Sequence, residues 1–232
     1  MQAKPTALKA LDIASIVLLA IAGYLALIYA PEELVMGQVQ RVFYFHVATA
    51  WTGLLGFVAA GVAGVVYLVT ADEKWDTVEV AAVEISLVFF FVTIVLGSIW
   101  ARPIWNTWWT WDPRLTTAAV TELIYIAYFM LRAGIEDPTK RARFGAVYAI
   151  IGAISAPITF LAIRFFRTIH PVVIGSGDPS AQGTFAMSPH MLVAFFFALF
   201  TFTVIFIDLF WNRIRLGSLA GKVEELKLSI LQ

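Results

Sequence analysis

The 232-residue chain contains no cysteine. It therefore cannot form disulfides, thiolate metal sites or a thioether-linked cofactor, and it has no cysteine nucleophile. Charge is also scarce, because only 14% of the residues are charged and 16 basic residues balance 16 acidic ones. A soluble domain of this length would carry more surface charge. A net charge of zero gives no indication of a nucleic-acid partner, and we expect none.

Enzymatic signatures are missing as well. The chain has no P-loop, Gly-rich dinucleotide fingerprint, metalloprotease helix or serine-triad motif. We therefore expect a protein that is not an enzyme, and any ATP-driven step would require another subunit. The first apolar run is long and lacks a small-residue cleavage site, so no cleavable signal peptide is expected.

Apolar residues, in contrast, make up 60% of the chain, and they fall into six long runs. The runs are Leu8–Tyr29, Phe43–Thr70, Val80–Trp100, Leu115–Leu131, Phe144–Ile163 and His190–Trp211. Each can cross about 30 Å of hydrocarbon as a helix, and none alternates as a barrel strand does. The predicted fold class is all-α, a polytopic membrane protein with a six-transmembrane-helix bundle. We expect one integral membrane domain over residues 1–232.

The basic residues predict the orientation of this bundle. With a cytoplasmic N-terminus, 11 of the 16 lysines and arginines lie on the inner side. The positive-inside rule therefore places both termini in the cytoplasm. The outer loops then cover about 31–43, 100–114 and 164–189. Their arginines, or those at the adjoining helix ends, are Arg41, Arg102, Arg114, Arg164 and Arg167.

Tryptophan is concentrated on the predicted outer side. Five of the eight tryptophans stand in or beside the second outer loop: Trp100, Trp105, Trp108, Trp109 and Trp111. An aromatic belt would decorate both membrane interfaces and several helices. The asymmetry therefore favours a specific apolar surface for a planar ligand, with the belt as the alternative.

All three histidines also lie on that side. Neutral imidazole is a common ligand of haem iron, and two imidazoles can hold it from opposite faces. His46 shares its predicted helix face with the small residues Ala50 and Gly53, which leave room for a bulky flat group. His170 precedes Pro171, which favours an extended loop. His190 is a third candidate, or else a solvated residue at the start of the last helix.

Carboxylates of haem need basic partners, and guanidinium groups pair with carboxylates in a forked geometry. Each of the five outer arginines is a candidate. Asp112 and Pro113 form a plausible N-cap and first helical position for the fourth helix. Asp112 is alternatively a partner of Arg114. Glu122 lies about two turns into that helix and is expected to face protein or a cavity.

The stretch "GSIWARPIWNTWWTWDPRLT", from Gly97 to Thr116, resembles the tryptophan-rich WWD signature of haem-handling proteins of cytochrome c maturation. The six-helix length and the histidines on either side are similar to the CcmC family. The resemblance implies haem b as cofactor, with His46 and His170 as axial ligands. It implies a surface that presents haem, with Trp105, Trp108, Trp109, Trp111, Asp112 and Arg114 as candidate contacts. Departures from the family pattern are Ala48, where a proline is usual, and Pro171, where a polar residue is common.

The resemblance also implies partners and a location. These are an ATP-binding CcmA-like and a membrane CcmB-like subunit of an ABC complex, a small CcmD-like protein, and a CcmE-like haem chaperone. The location is the bacterial inner membrane, with the haem site facing the periplasm or cell exterior. The implied role is to bind haem and deliver it to the chaperone.

Two other functions stay open at this point. A b-type electron carrier usually holds haems in both the inner and the outer half of the membrane. No histidine of this chain lies in the predicted inner half of the membrane. A small-solute or haem transporter subunit predicts broken helices and polar groups near the midplane.

Overall fold

The computed structural model describes residues 3–171 and 186–231. Six long helices dominate these residues, and each is long and apolar enough to cross a membrane. They are α1 (Thr6–Tyr24, continued by a π-helical turn, Leu25–Tyr29), α2 (Gln40–Thr70), α3 (Glu73–Trp105), α4 (Pro113–Ala133), α5 (Pro138–Phe165) and α6 (Pro189–Leu231). Within the described ranges the only β pairing is an isolated bridge between Glu33 and Gly37. The predicted all-α, six-helix fold is confirmed.

Aspartate caps set three of the helix starts. The side chains of Asp72, Asp112 and Asp137 accept backbone N–H groups at the starts of α3, α4 and α5. Such caps satisfy donors that have no partner within the helix. The Asp72 cap stabilises a first turn made of polar residues. Helix α3 therefore begins at Glu73, before the apolar run that starts at Val80.

The far end of α3 also differs from the sequence prediction. The helix continues through Pro103 to Trp105 and stops at Asn106, whose φ of 55° is left-handed. Trp105 therefore lies on a helix, although it was predicted to lie in the second outer loop. The connection to α4 is short, from 106 to 112. Of the predicted third outer loop, 172–185 lie outside the described residues.

Helix α2 is central and packs against α3, α5 and α6, whereas α1 packs mainly against α6. Gly56, Ala60 and Gly64 lie at four-residue spacing on α2, and small residues at this spacing allow close helix packing. A Cβ atom at Gly64 would lie 2.9 Å from the Ala146 carbonyl oxygen of α5. Among the described residues, α5 and α6 flank α2, and no Cα atom of one lies within 8 Å of a Cα atom of the other.

A polar cluster ties the helices together at the end of the bundle opposite His46. Arg132 of α4 pairs with both carboxylate oxygens of Asp76, at 2.6 and 2.9 Å. The Tyr128 hydroxyl donates to the buried Glu79 carboxylate at 3.0 Å. These contacts stabilise the α3–α4 pair. The histidine end, where α2, α4 and α6 begin and α3 and α5 finish, carries the functional candidates.

Candidate functional site

His46 lies in the second turn of α2, against α3. Its Nδ1 atom is 2.9 Å from the backbone oxygen of Thr93. A carbonyl oxygen can only accept, so the imidazole proton lies on Nδ1 and the Nε2 atom keeps a lone pair. The ring is therefore oriented by α3 and leaves one nitrogen available to a metal.

Gly97 makes this position of the ring possible. A Cβ atom built there would lie 2.9 Å from Cε1 and 3.2 Å from Nδ1 of His46. Any larger residue would push the imidazole away from the Thr93 carbonyl. Sequence reasoning missed both Thr93 and Gly97. The available signal was a glycine inside an apolar helix, where it costs about 1 kcal/mol relative to alanine and so has a packing reason.

His170 lies at a bend in the short non-helical segment after α5. Its Nδ1 atom is 2.9 Å from the Pro171 carbonyl oxygen, so its Nε2 atom also keeps a lone pair. Burial, followed by the nearby Arg114 guanidinium and His46, lowers the pKa of His170 well below its usual value. The imidazole is therefore neutral at neutral pH, which is the form that binds metals.

The two rings lie close together, with centroids 6.3 Å apart and planes inclined by 35°. Metal–imidazole bonds are about 2 Å long, so two imidazoles on opposite sides of one metal have centroids roughly 6 Å apart. The structure thus brings together His46 and His170, which are 124 positions apart in sequence. Their separation suits joint ligation of one metal ion.

Asp112 connects the two loops that meet at this site. One carboxylate oxygen accepts the backbone N–H groups of Arg114 and Leu115, at 3.0 and 3.1 Å, and caps α4. The other accepts the Ile169 N–H at 3.1 Å and the Thr168 hydroxyl. The predicted N-cap is confirmed. Its second contact, which holds the segment just before His170, was not anticipated.

The tryptophans fall into two groups. Trp105 packs against His170, with ring centroids 6.3 Å apart, and Trp100 packs edge-on against Trp105 at 5.2 Å. The indole nitrogens of Trp100, Trp105 and Trp109 are buried and have no hydrogen-bond partner within the described part of the chain. Trp108 and Trp111 are instead 58% and 76% exposed. Trp111 therefore faces outwards, whereas Trp108 borders the site although it is partly exposed.

Two cavities meet at the histidines. The smaller, of about 80 Å³, is lined by Trp100, Trp105, Trp108 and Trp109. The larger, of about 420 Å³, lies between α2, α5 and α6. His46, His170 and Arg114 line both.

The remaining candidates are placed differently. Arg164 lines the larger cavity only, whereas Arg102 donates to the backbone and side-chain oxygens of Asn106. His190 is exposed and lies against Tyr29, with ring centroids 5.0 Å apart. In the described residues, His190 and Glu122 line neither cavity. Arg114 is therefore the best-placed arginine for an anionic group beside the histidines.

The fold and the site together define a polytopic helical membrane protein with a paired-imidazole site at one end of its bundle. The family model described as heme exporter protein C (CcmC) matches residues 1–229. The chain belongs to this family.

Individual relatives agree. The heme exporter protein C of Bradyrhizobium diazoefficiens is 30% identical over 217 residues, which cover 93% of this chain and 80% of that protein. That of Haemophilus influenzae is 29% identical over 204 residues, covering 87% and 80%. That of Escherichia coli (strain K12) is 30% identical over 160 residues, covering 69% and 65%.

Proposed function

We propose that this protein binds haem between His46 and His170 and delivers it to a haem chaperone during cytochrome c maturation. The observation that carries the proposal is the pair of imidazoles with centroids 6.3 Å apart. Both have their Nδ1 protons committed to backbone oxygens, so both Nε2 atoms are available. The family's role in haem handling agrees with this chemistry.

The surrounding residues fit haem b, the form without covalent attachment. Its carboxylates require donors, and Arg114 together with three unpartnered indole N–H groups offers them beside the histidines. Its apolar ring requires apolar walls, which the larger cavity supplies. Trp105, Trp108, Trp109 and Trp111 form the aromatic surface along which haem is presented, and Asp112 holds that surface to the His170 segment.

Delivery requires that the histidine ligands dissociate from the haem. The two histidines differ in the contacts that fix their positions. His46 is fixed on a rigid helix against α3, whereas His170 lies on a short segment held by Asp112. Loosening that segment frees one side of the haem while His46 retains the other. The chain binds, orients and releases haem, and the haem is cargo, so no catalytic step on this chain is required.

The proposed setting is a bacterial inner membrane with both termini in the cytoplasm. The histidine end then faces the periplasm or cell exterior, where a CcmE-like chaperone would collect the haem. ATP-driven steps belong to CcmA-like and CcmB-like subunits, with a CcmD-like small protein beside them. The chain itself carries no nucleotide-binding motif.

The test is spectral. Protein purified in detergent after expression with haem supplied is expected to show the absorption of a haem with two histidine ligands. Addition of the soluble domain of the chaperone should remove that absorption from the membrane protein. Protein that carries no haem would contradict the proposal. Rapid, reversible reduction by a quinol, with no transfer, would instead favour an electron carrier.

Gly97→Ala is expected to weaken haem binding roughly 10–100-fold, the range seen when an outer contact of a ligating histidine is lost. The added methyl group displaces His46 from the Thr93 carbonyl. Haem titration followed by absorption measures the change. Gly23→Ala is the matched control, since a Cβ there meets nothing within 4 Å. Equal affinities for both variants would show that Gly97 does not position His46.

A further inference from the structure

The larger cavity is a groove in the side of the bundle rather than a chamber inside it. Helix α2 forms its floor, and α5 and α6 form its walls. Within the described residues, no Cα atom of α5 lies within 8 Å of a Cα atom of α6. Part of the lining is half-exposed, so the cavity continues to the lateral surface of the bundle, which the membrane hydrocarbon covers in a chain with six apolar spans.

Apart from Arg164 and the groups at its histidine end, the groove is lined by apolar side chains. Examples are Val47, Trp51 and Val58 of α2, Pro157 and Phe160 of α5, and Leu199 of α6. Trp51 is 50% exposed and Phe160 is 52% exposed, so both stand at its open side. Such a lining excludes a hydrated solute as the occupant and suits the hydrocarbon part of a membrane-dissolved molecule.

The groove leads directly to the site. His46, Ala50 and His170 line both the groove and the smaller cavity, and Arg114 stands where the two meet. Ala50, one turn below His46, carries only a methyl group, so no bulky side chain of that face separates the groove from the imidazole. A molecule moving along the groove would meet two metal ligands and a cation at its end.

These features select one occupant. An acyl chain fits the apolar lining but has no group that could bind the two available imidazole nitrogens at the end of the groove. Haem has an apolar edge, a metal centre and carboxylates, and the groove presents apolar walls, two imidazoles and a guanidinium in that combination. On the smaller-cavity side, four tryptophans and about 80 Å³ of space leave less room for a macrocycle.

We propose that haem reaches the histidine pair sideways from the bilayer, through the groove between α5 and α6. This inference rests on the proposed function. It adds that the immediate source of haem is the hydrocarbon phase on the histidine side of the membrane. The protein then collects haem that is already dissolved in the bilayer.

The absence of native cysteine allows a site-specific test. Val58 lines the groove and is 43% exposed, whereas Val62, one turn further along α2, is 57% exposed and is not part of the groove lining. Val58→Cys and Val62→Cys are made separately, reconstituted in phosphatidylcholine vesicles and modified with the bulky, bilayer-soluble pyrene maleimide. Haem is then supplied in phosphatidylcholine vesicles, and its capture is followed by absorption.

Modification at position 58 is expected to slow capture roughly tenfold or more, because access to the site limits the association rate. Modification at position 62 should leave the rate unchanged. Protein that received haem before modification should keep its spectrum in both variants. That result separates a blocked route from a damaged site.

Three outcomes would overturn the route. Normal capture by the variant modified at position 58 would assign the groove to a lipid chain and place haem entry elsewhere. Equal slowing by both modifications would indicate a general effect on the bundle. If modification removed the haem absorption of preloaded protein, the groove would be needed for the structure of the haem site and would not be shown to be a route of entry. By contrast, unmodified protein that never acquires haem would contradict the proposed function itself, and the route with it.

Discussion

Replacing His46 and His170 together by alanine is expected to abolish the haem absorption of the purified protein. Both ligands are removed, and no third histidine lines either cavity in the described residues. Each single replacement should weaken binding by roughly 100-fold or more, because loss of a hydrogen-bond partner of a metal ligand alone costs roughly 10–100-fold. Haem titration and spin state, read from the absorption spectrum, measure both effects.

The third histidine supplies the control for this experiment. His190 is exposed and packs against Tyr29, so His190→Ala should leave affinity and spin state unchanged. Free imidazole added to either single variant should occupy the vacated position and restore the spectrum of a haem with two nitrogen ligands. Retention of that spectrum by the double variant, without added imidazole, would contradict the ligand assignment.

Substitution of Asp112 is expected to have the next largest effect, because one carboxylate serves two structural elements. Asp112→Ala removes the cap of α4, at a cost of about 1 kcal/mol of stability. It also releases Thr168 and Ile169, the residues that precede His170. Haem binding should weaken roughly 10–100-fold, as for other outer contacts of a ligating histidine.

Asp112→Asn separates these two contributions. Different carboxylate oxygens accept at the α4 cap and at the Ile169 N–H. An amide has only one oxygen, so its NH2 group must face one of these two N–H sites. We expect a smaller loss of thermal stability than for alanine, because asparagine is a good N-cap. A change of the haem spin state should nevertheless persist, because the His170 segment is loosened. Thermal unfolding in detergent and the absorption spectrum provide the two readouts.

Asp137→Ala is the matched control. Asp137 caps α5 through the Lys140 N–H and lies at the opposite end of the bundle from the histidines. Its replacement should lower the unfolding temperature by a similar amount and leave haem binding unchanged. If Asp112→Ala and Asp137→Ala had the same effects on both readouts, Asp112 would be a helix cap only.

The tryptophan cluster shows how far local sequence reasoning reaches. Its density and one-sided placement predict an aromatic surface near the histidines, and Trp105 does lie against His170. The sequence could not show which indoles lie beside the histidines. The predicted run ends at Trp100, whereas α3 continues through Pro103 and carries Trp105 on its last turn. Trp108 and Trp109 follow the left-handed Asn106 and also line the smaller cavity, whereas Trp111 is 76% exposed and lines neither cavity. The path of the short connection between α3 and α4 therefore decides which indoles border the site.

The arginines illustrate the same limit. Five share the predicted outer side, and their sequence positions are equally suitable for binding a carboxylate. Only the packed structure shows that Arg114 lines both cavities and that Arg102 is committed to Asn106. Side-chain direction depends on the helix rotation, which contacts with neighbouring helices set.

Sequence alone determined the six spans, the capped start of α4 and the histidines as candidate ligands, because apolar length and local capping chemistry act within a few turns of chain. Tertiary structure alone decided what depends on contacts between distant segments. The Thr93 carbonyl and Gly97 orient His46 from the neighbouring helix, Asp112 holds the segment before His170, and an open groove lies between α5 and α6. Local residue patterns carry no record of such contacts, because helix rotation and spacing arise only when the whole bundle packs.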